Sequence, residues 1–281
     1  MRKTRYAAAA IAAVAALTLS ACGGDSGSDS GSTEGAGDKI RIGIKFDQPG
    51  LGFKDGNDYT GFDVDVAKYV ANELGYPEER IEFISSPSAQ RENMLENDQL
   101  DMIFATYSIT DTRKEKVSFA GPYFVAGQDL LVPSDSDISG PEDLDGKNLC
   151  SVTGSTSAQK IKDNYAAGVN LLEQPSYAEC VTAMQGGQID AVTTDDIILA
   201  GLASTDANKG KFKVVGNTFS EEKYGVGLPK DGGLVKCEDI NAAITKMIDD
   251  GAWEEAIKKN TEGADYTFNA ELNPPAMDAC A

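Results

Sequence analysis

The hydroxyl side chains Thr106, Tyr107, Ser108 and Thr110 are followed by Arg113. They follow a short apolar run, Met102 to Ala105, that reads as a strand. A guanidinium grips a carboxylate through two parallel N–H bonds, and hydroxyls add orientable donors and acceptors around it. The chemistry these types suit is recognition of a small carboxylate. A second candidate anion site is Thr153 to Ser157, TGSTS, between a strand and a helix. The first backbone N–H groups of a helix are unpaired and sit at its positive dipole end. Plain helix capping explains the same residues, and the lysine of a Walker motif is missing.

Three other positions carry charge to the ends of elements. Lys45 ends the first strand, and Ser88 and Arg91 share a face at the start of a helix. Thr194 and Asp195 follow a strand, where Asp195 is a natural partner for an ammonium group or else a helix cap. Two cations beside a ligand's tail favour an acid over an amide, since charge-assisted hydrogen bonds contribute roughly 1.5–3 kcal/mol each. Solvated surface charge is the alternative for Lys45 and Arg91. The chain contains no histidine, and no C-x-x-C pair, so neither a metal site nor a cofactor site is expected.

These groups need a scaffold that brings strand ends together. Ile40 to Phe46 alternates as a strand does. Asp63 to Leu74 reads as a helix capped by Asp63 and stopped by Gly75. Ile81 to Ile84 reads as a strand, and Ser86 and Pro87 as the cap and first residue of a helix reaching about Asn97. The second half repeats this grammar. Strands are expected at Lys147 to Val152, Asn170 to Leu172, Ile189 to Thr193 and Tyr224 to Leu228. Helices are expected at Ser155 to Ala167, Ser176 to Gln185, Asp195 to Ala203, Leu234 to Asp250 and Trp253 to Lys259, with a helical turn at Pro141. Such alternation predicts an α/β fold with largely parallel sheets, whose ligands sit beyond the carboxyl ends of the strands.

The ends of the chain set its surroundings. Arg2, Lys3 and Arg5 precede an apolar run, Ala7 to Leu19, that is too short for the ~20 residues a spanning helix needs. Residues 1–21 therefore read as a secretion signal. Leu19-Ser20-Ala21-Cys22 resembles a lipobox, which implies lipidation at Cys22. Residues 23–38 are Gly, Ser and Asp rich, a tether with a reach of roughly 20–24 Å. Loss of the three basic leader residues takes the formal charge from −20 to −23. That excludes nucleic acid as a partner and leaves the lipid as the one expected membrane contact. The remaining cysteines, Cys150, Cys180, Cys237 and Cys280, suit an oxidising compartment and allow three pairings.

Two stretches resemble the core of the family 3 bacterial solute-binding proteins, the polar amino-acid receptors of ABC importers. Ser108-Ile109-Thr110-Asp111-Thr112-Arg113 follows their S-I-T-x-x-R pattern, and Val117 to Tyr123 follows their V-x-F-x-x-P-Y run. The similarity extends over roughly residues 40 to 260. It implies a two-lobed periplasmic-binding-protein-like (type II) fold with two hinge crossovers, near Phe124 to Leu130 and Lys223 to Gly227. Lobe 1 would comprise 39–126 and 226–281, and lobe 2 would comprise 127–225. Each of the pairs Cys150–Cys180 and Cys237–Cys280 then falls within one lobe, so these pairings are favoured.

The resemblance also assigns roles. Ser155 and Thr156 would face Arg113 across the cleft and hold an α-carboxylate. In IDAVTTDD the second acid, Asp195, would hold the ammonium. The run SAQR is similar to the segment that glutamate and aspartate binders use for the distal carboxylate, and Lys45 stands where they place a cation. Thr106, Ser108, Tyr177 and Thr194 complete the expected set, and Phe53 offers an aromatic wall or else a core side chain. The implied function is a monomeric lipid-anchored receptor for an acidic amino acid, glutamate foremost, that delivers it to an ABC permease. A sensor with the same site and a signalling partner is one alternative. A prephenate-type dehydratase, with an acid such as Glu173 as proton donor, is another.

Overall fold

The computed structural model describes residues 39–165 and 168–280. The leader, Cys22 and the tether lie outside the described residues. The chain begins with β1 (Ile40–Ile44), whose three isoleucines are fully buried. The turn-rich loop after it folds into a small meander, β2 (Asp47–Gln48), β3 (Gly52–Asp55) and β4 (Asp58–Thr60). Helix α1 (Phe62–Glu73) follows, then β5 (Ile81–Ser85), a 3-10 turn over Ser88–Gln90 and α2 (Arg91–Glu96). β6 (Met102–Ile103) and the one-turn α3 (Asp111–Lys114) flank the hydroxyl-rich loop. β7 (Val117–Pro133) then runs for 17 residues.

The second half alternates as expected: β8 (Asn148–Val152), α4 (Thr156–Asn164), β9 (Asn170–Gln174), α5 (Tyr177–Gln185), β10 (Ala191–Asp195) and α6 (Asp196–Ser204). β11 (Phe212–Val214), β12 (Glu221–Pro229), α7 (Cys237–Asp249) and α8 (Ala252–Thr261) complete it.

Strand order is β5-β1-β6-β12-β7-β10-β8-β9, with β11 against β7. β1 pairs in parallel with β5 and β6, and β8 does so with β9 and β10. β7 and β12 join these two parallel sets. They are antiparallel to each other, with Val117 opposite Pro229 and Gly127 opposite Glu221. Beyond that, β7 continues against β10 and β11. Both stretches expected as crossovers lie in this long ribbon. Parallel strands need helices on both faces, and the buried isoleucine, valine and leucine runs meet that need.

One buried aromatic group anchors the first strand set to the closing helices. Phe62 meets Phe124 and Trp253 with ring centroids 5.6 and 5.7 Å apart. Trp253 donates its indole N–H to the Tyr123 carbonyl at 2.8 Å, so its polar edge is satisfied in the core.

The structure departs from the sequence reading at several points, among them the starts of two helices and the end of a strand. The cap of α1 is Gly61, not Asp63, whose carboxylate turns to the Thr106 N–H at 3.0 Å and the Tyr123 hydroxyl at 2.8 Å. Ser86 caps nothing: its hydroxyl is buried without a partner among the described residues, and the helical turn starts at Ser88. Strand β10 includes Thr194 and Asp195 and so ends two residues later than expected. Residues 262–280, after α8, hold neither helix nor strand, yet they are fastened to the body. The Asn273 side chain bonds both the N–H and the carbonyl of Val125, at 2.9 and 2.8 Å, and the Asp278 N–H donates to the Gly121 carbonyl at 2.7 Å. Disulfides join Cys237 to Cys280 and Cys150 to Cys180.

Candidate functional site

The loop after β6 is the centre of the site. Thr106 sits in the left-handed region at φ 47°, a costly conformation for a β-branched residue. Three bonds hold it there. Its N–H reaches the buried Asp63 carboxylate, and its hydroxyl reaches the Ala105 carbonyl at 2.7 Å and the Gln48 side-chain oxygen at 3.3 Å. Burial raises the Asp63 carboxyl to about 6, against the pull of the Tyr123 hydroxyl and the Thr106 N–H. The kink lets Ser108 pair with Tyr224 of β12, where the two strand sets meet.

Arg113 is held from three directions. Its Nη1 donates to the Ser108 carbonyl at 2.7 Å, its Nη2 to the Gly154 carbonyl at 3.1 Å, and its Nε lies 3.2 Å from Glu92. Thr110, counted among the candidate hydroxyls, instead caps α3 by accepting the Arg113 N–H at 3.2 Å. Burial lowers the Arg113 pKa, and the neighbouring Arg91 lowers it further.

The TGSTS segment meets this loop from the other strand set. Ser155 caps α4 by accepting the Ala158 N–H at 3.0 Å, so the capping reading holds for that hydroxyl. Thr156 does more. Its hydroxyl lies 3.3 Å from the Ser108 hydroxyl and 3.1 Å from Glu222, which Lys160 also pairs with. Gly154 has φ 79°, and a side chain there would come within 2.8 Å of the Ala89 Cα. Only glycine lets the segment approach Ser88 and Ala89 this closely.

Lys45 and Arg91 are not solvated charges. They are 2% and 3% exposed, numbers that exclude the surface reading. Burial holds the Lys45 ammonium below its usual pKa, with Arg91 adding to the effect and Asp47, 3.6 Å away, opposing it. Arg91 donates Nη1 to the Ala105 carbonyl at 2.8 Å, and its Nε is buried without a partner among the described residues. Ser88 is buried just before it.

Asp195 stands at the cap position of α6 but makes no side-chain cap bond. Asp196 does that work, accepting the Ile197 N–H at 2.7 Å. The Asp195 Oδ2 accepts the Tyr224 hydroxyl at 2.6 Å, and Oδ1 is buried with no partner among the described residues. Burial, with Glu222 and Asp196 nearby, pushes its carboxyl far above the usual range, against Tyr224 and Lys160. Tyr177 lies alongside, raised to about 12 by burial and by Asp195, with Thr194, Ser155 and Arg91 opposing the rise.

Ten of the eleven candidate residues are buried, and Thr156, which meets Ser108 and Glu222, is half-buried. Phe53 is half-buried on β3, opposite Asp47 of β2. Glu173, weighed as a proton donor, is exposed on β9 and paired with Lys162 at 2.7 Å. Sequence reasoning missed Asp63, Gln48, Glu92, Glu222 and Tyr224. A buried glutamate two residues before a tyrosine on one strand signals a shared face, but that signal is legible only once β12 is known to cross the site.

Comparison with known proteins gives a consistent picture. The pattern of the bacterial extracellular solute-binding proteins, family 3, matches residues 40–262. The glutamate-binding protein GluB of Corynebacterium efficiens is 45% identical over 270 residues, covering 92% of this chain and 90% of the relative. The ABC transporter glutamine-binding protein GlnH of Bacillus subtilis is 38% identical over 269 residues, covering 92% and 97%. An ancestral arginine-binding protein bound to glutamine superposes with a TM-score of 0.72 at 34% identity, covering 79% of this chain and 96% of that one.

Proposed function

Because the chain belongs to family 3 of the bacterial extracellular solute-binding proteins, we infer that it captures an acidic amino acid, L-glutamate foremost, and hands it to the membrane subunits of an ABC importer. One observation carries the choice of ligand: Lys45, Arg91 and Arg113 are all buried, Arg91 lies near enough to lower the pKa of each of the others, and Asp195 offers a buried carboxylate oxygen. Arg113, Ser108 and Thr156 take the α-carboxylate, and Asp195 takes the ammonium. Lys45, Arg91 and Ser88 take the distal carboxylate, while Thr106, Ser155, Tyr177 and Thr194 line the ligand. GluB supports this reading, since its name records glutamate binding in a relative spanning nearly the whole chain.

The electrostatics argue against the other ligands of the family. Glutamine would leave Lys45 and Arg91 facing an uncharged amide, and arginine would bring a third cation to them. An uncompensated buried charge costs more than a neutral hydrogen bond returns. The lobes are residues 39–126 with 226–281, and residues 127–225. Ligand favours the closed form, because only there do Arg113 and Thr156 act together. The receptor works as a monomer, lipid-anchored through Cys22, and carries out no chemical turnover.

Titration calorimetry with glutamate, aspartate, glutamine and arginine tests the reading. Glutamate is expected to bind at least ~100-fold more tightly than glutamine, about 3 kcal/mol. R91Q is expected to remove most of that difference. Tight glutamine or arginine binding with none of glutamate overturns it.

A further inference from the structure

We propose that Tyr107 is a positioning residue that seats both arginines, and that its ring rather than its hydroxyl sets the preference for a dicarboxylate. The proposal rests on the ligand reading above. The guanidinium carbons of Arg91 and Arg113 lie over the Tyr107 ring, 4.5 and 4.9 Å from its centroid. The aromatic face is a source of negative potential for each cation. Two like charges buried this close repel, and the ring offsets that repulsion without adding an acid that would compete with a ligand carboxylate.

The ring itself is clamped. It is fully buried and meets the edge of Phe119 at 4.8 Å. On another side the backbone of Gly227 comes so close that a side chain there would lie 2.6 Å from Cε1. Its position is therefore set by β7 and β12, the ribbon that joins the strand sets.

The two arginines depend on the ring unequally. Arg113 is also tied to Glu92, to the Ser108 carbonyl and to the Gly154 carbonyl. Arg91 has the Ala105 carbonyl alone, with Nε unpartnered among the described residues. Loss of the ring thus falls mainly on Arg91, the cation that faces the distal carboxylate. An α-carboxylate, present in glutamate and glutamine alike, is held by the better-tied Arg113.

The test compares Y107F, Y107L and Y107M with the unsubstituted protein in the full extracytoplasmic chain. Calorimetric scanning first establishes which variants fold, and Leu and Met offer two chances to keep the core filled. Y107F is expected to retain the affinity ratio of glutamate to glutamine, because the ring remains. Y107L or Y107M is expected to weaken glutamate at least ~10-fold while glutamine changes less than ~3-fold. Equal weakening of both ligands, or none, overturns the proposal. A crystal structure of the folded Leu or Met variant decides the matter without reference to ligand. Arg91 leaving the Ala105 carbonyl supports the seat, and Arg91 unmoved overturns it. If the unsubstituted protein ignores glutamate, the ligand reading fails while this structural arm still decides the role of Tyr107.

Discussion

Asp195 shows how one side chain can satisfy two readings until its surroundings are known. At a helix start, Asp is most often a cap. Here the cap bond falls to Asp196, and Asp195 instead faces Tyr224 with one oxygen unpartnered among the described residues. Its carboxyl is raised by burial first and then by Glu222, with Asp196 adding and Tyr224 and Lys160 opposing. A raised pKa means the free protein holds a proton there into the neutral range. A bound ammonium favours the ionised form, so binding releases that proton. Affinity for glutamate is therefore expected to rise with pH until the free carboxyl is fully ionised, and to level off above that point. Calorimetry at pH 6.5 in buffers of different ionisation enthalpy reads the proton count directly. Uptake of protons, or none, contradicts the assignment of the ammonium to Asp195.

At the scale of elements, the two strand sets meet through glycines placed where backbone approaches backbone. Gly154 lets the α4 cap touch Ala89, and Gly201 lets helix α6 touch the loop after β1. A methyl at Gly201 would lie 2.2 Å from the Pro49 carbonyl oxygen, well inside contact distance. In an isolated helix the same methyl favours folding by up to about 1 kcal/mol. The clash is with backbone and outweighs that preference, so G201A is expected to lower the Tm of the ligand-free protein. Glutamate binding is expected to weaken at least ~10-fold, because the closed arrangement must give way at that contact. Unchanged affinity would mean that the Pro49–α6 approach is no part of the liganded form.

For the whole molecule, residues 262–280 act as a strap over the ribbon that joins the strand sets. Asn273 imitates a neighbouring strand by bonding both polar groups of Val125, and the Cys237–Cys280 disulfide fastens the far end to α7. N273A leaves two buried backbone groups without partners, each costing about 1–3 kcal/mol. A loss of roughly 2–4 kcal/mol is expected, which corresponds to a fall in Tm of several degrees for a protein of this size. Thermal scanning measures it, and a shift below one degree would show that water replaces the side chain at no cost.

Much of this was legible locally. The alternation of strands and helices, the capping weighed for the TGSTS segment, and the inventory of cations and hydroxyls followed from short-range pattern. These signals survive because periodicity and capping involve residues a few positions apart. The 17-residue β7, its pairing with β12 a hundred positions away, and the strap across it left no such trace. Tyr107 illustrates the divide. The sequence itself determined that an aromatic with a hydroxyl would stand between Thr106 and Ser108. Only the tertiary structure decided that its ring, not its oxygen, would meet two arginines. Which side chains converge depends on contacts distant in the chain, and no short window of residues encodes which of those contacts will close.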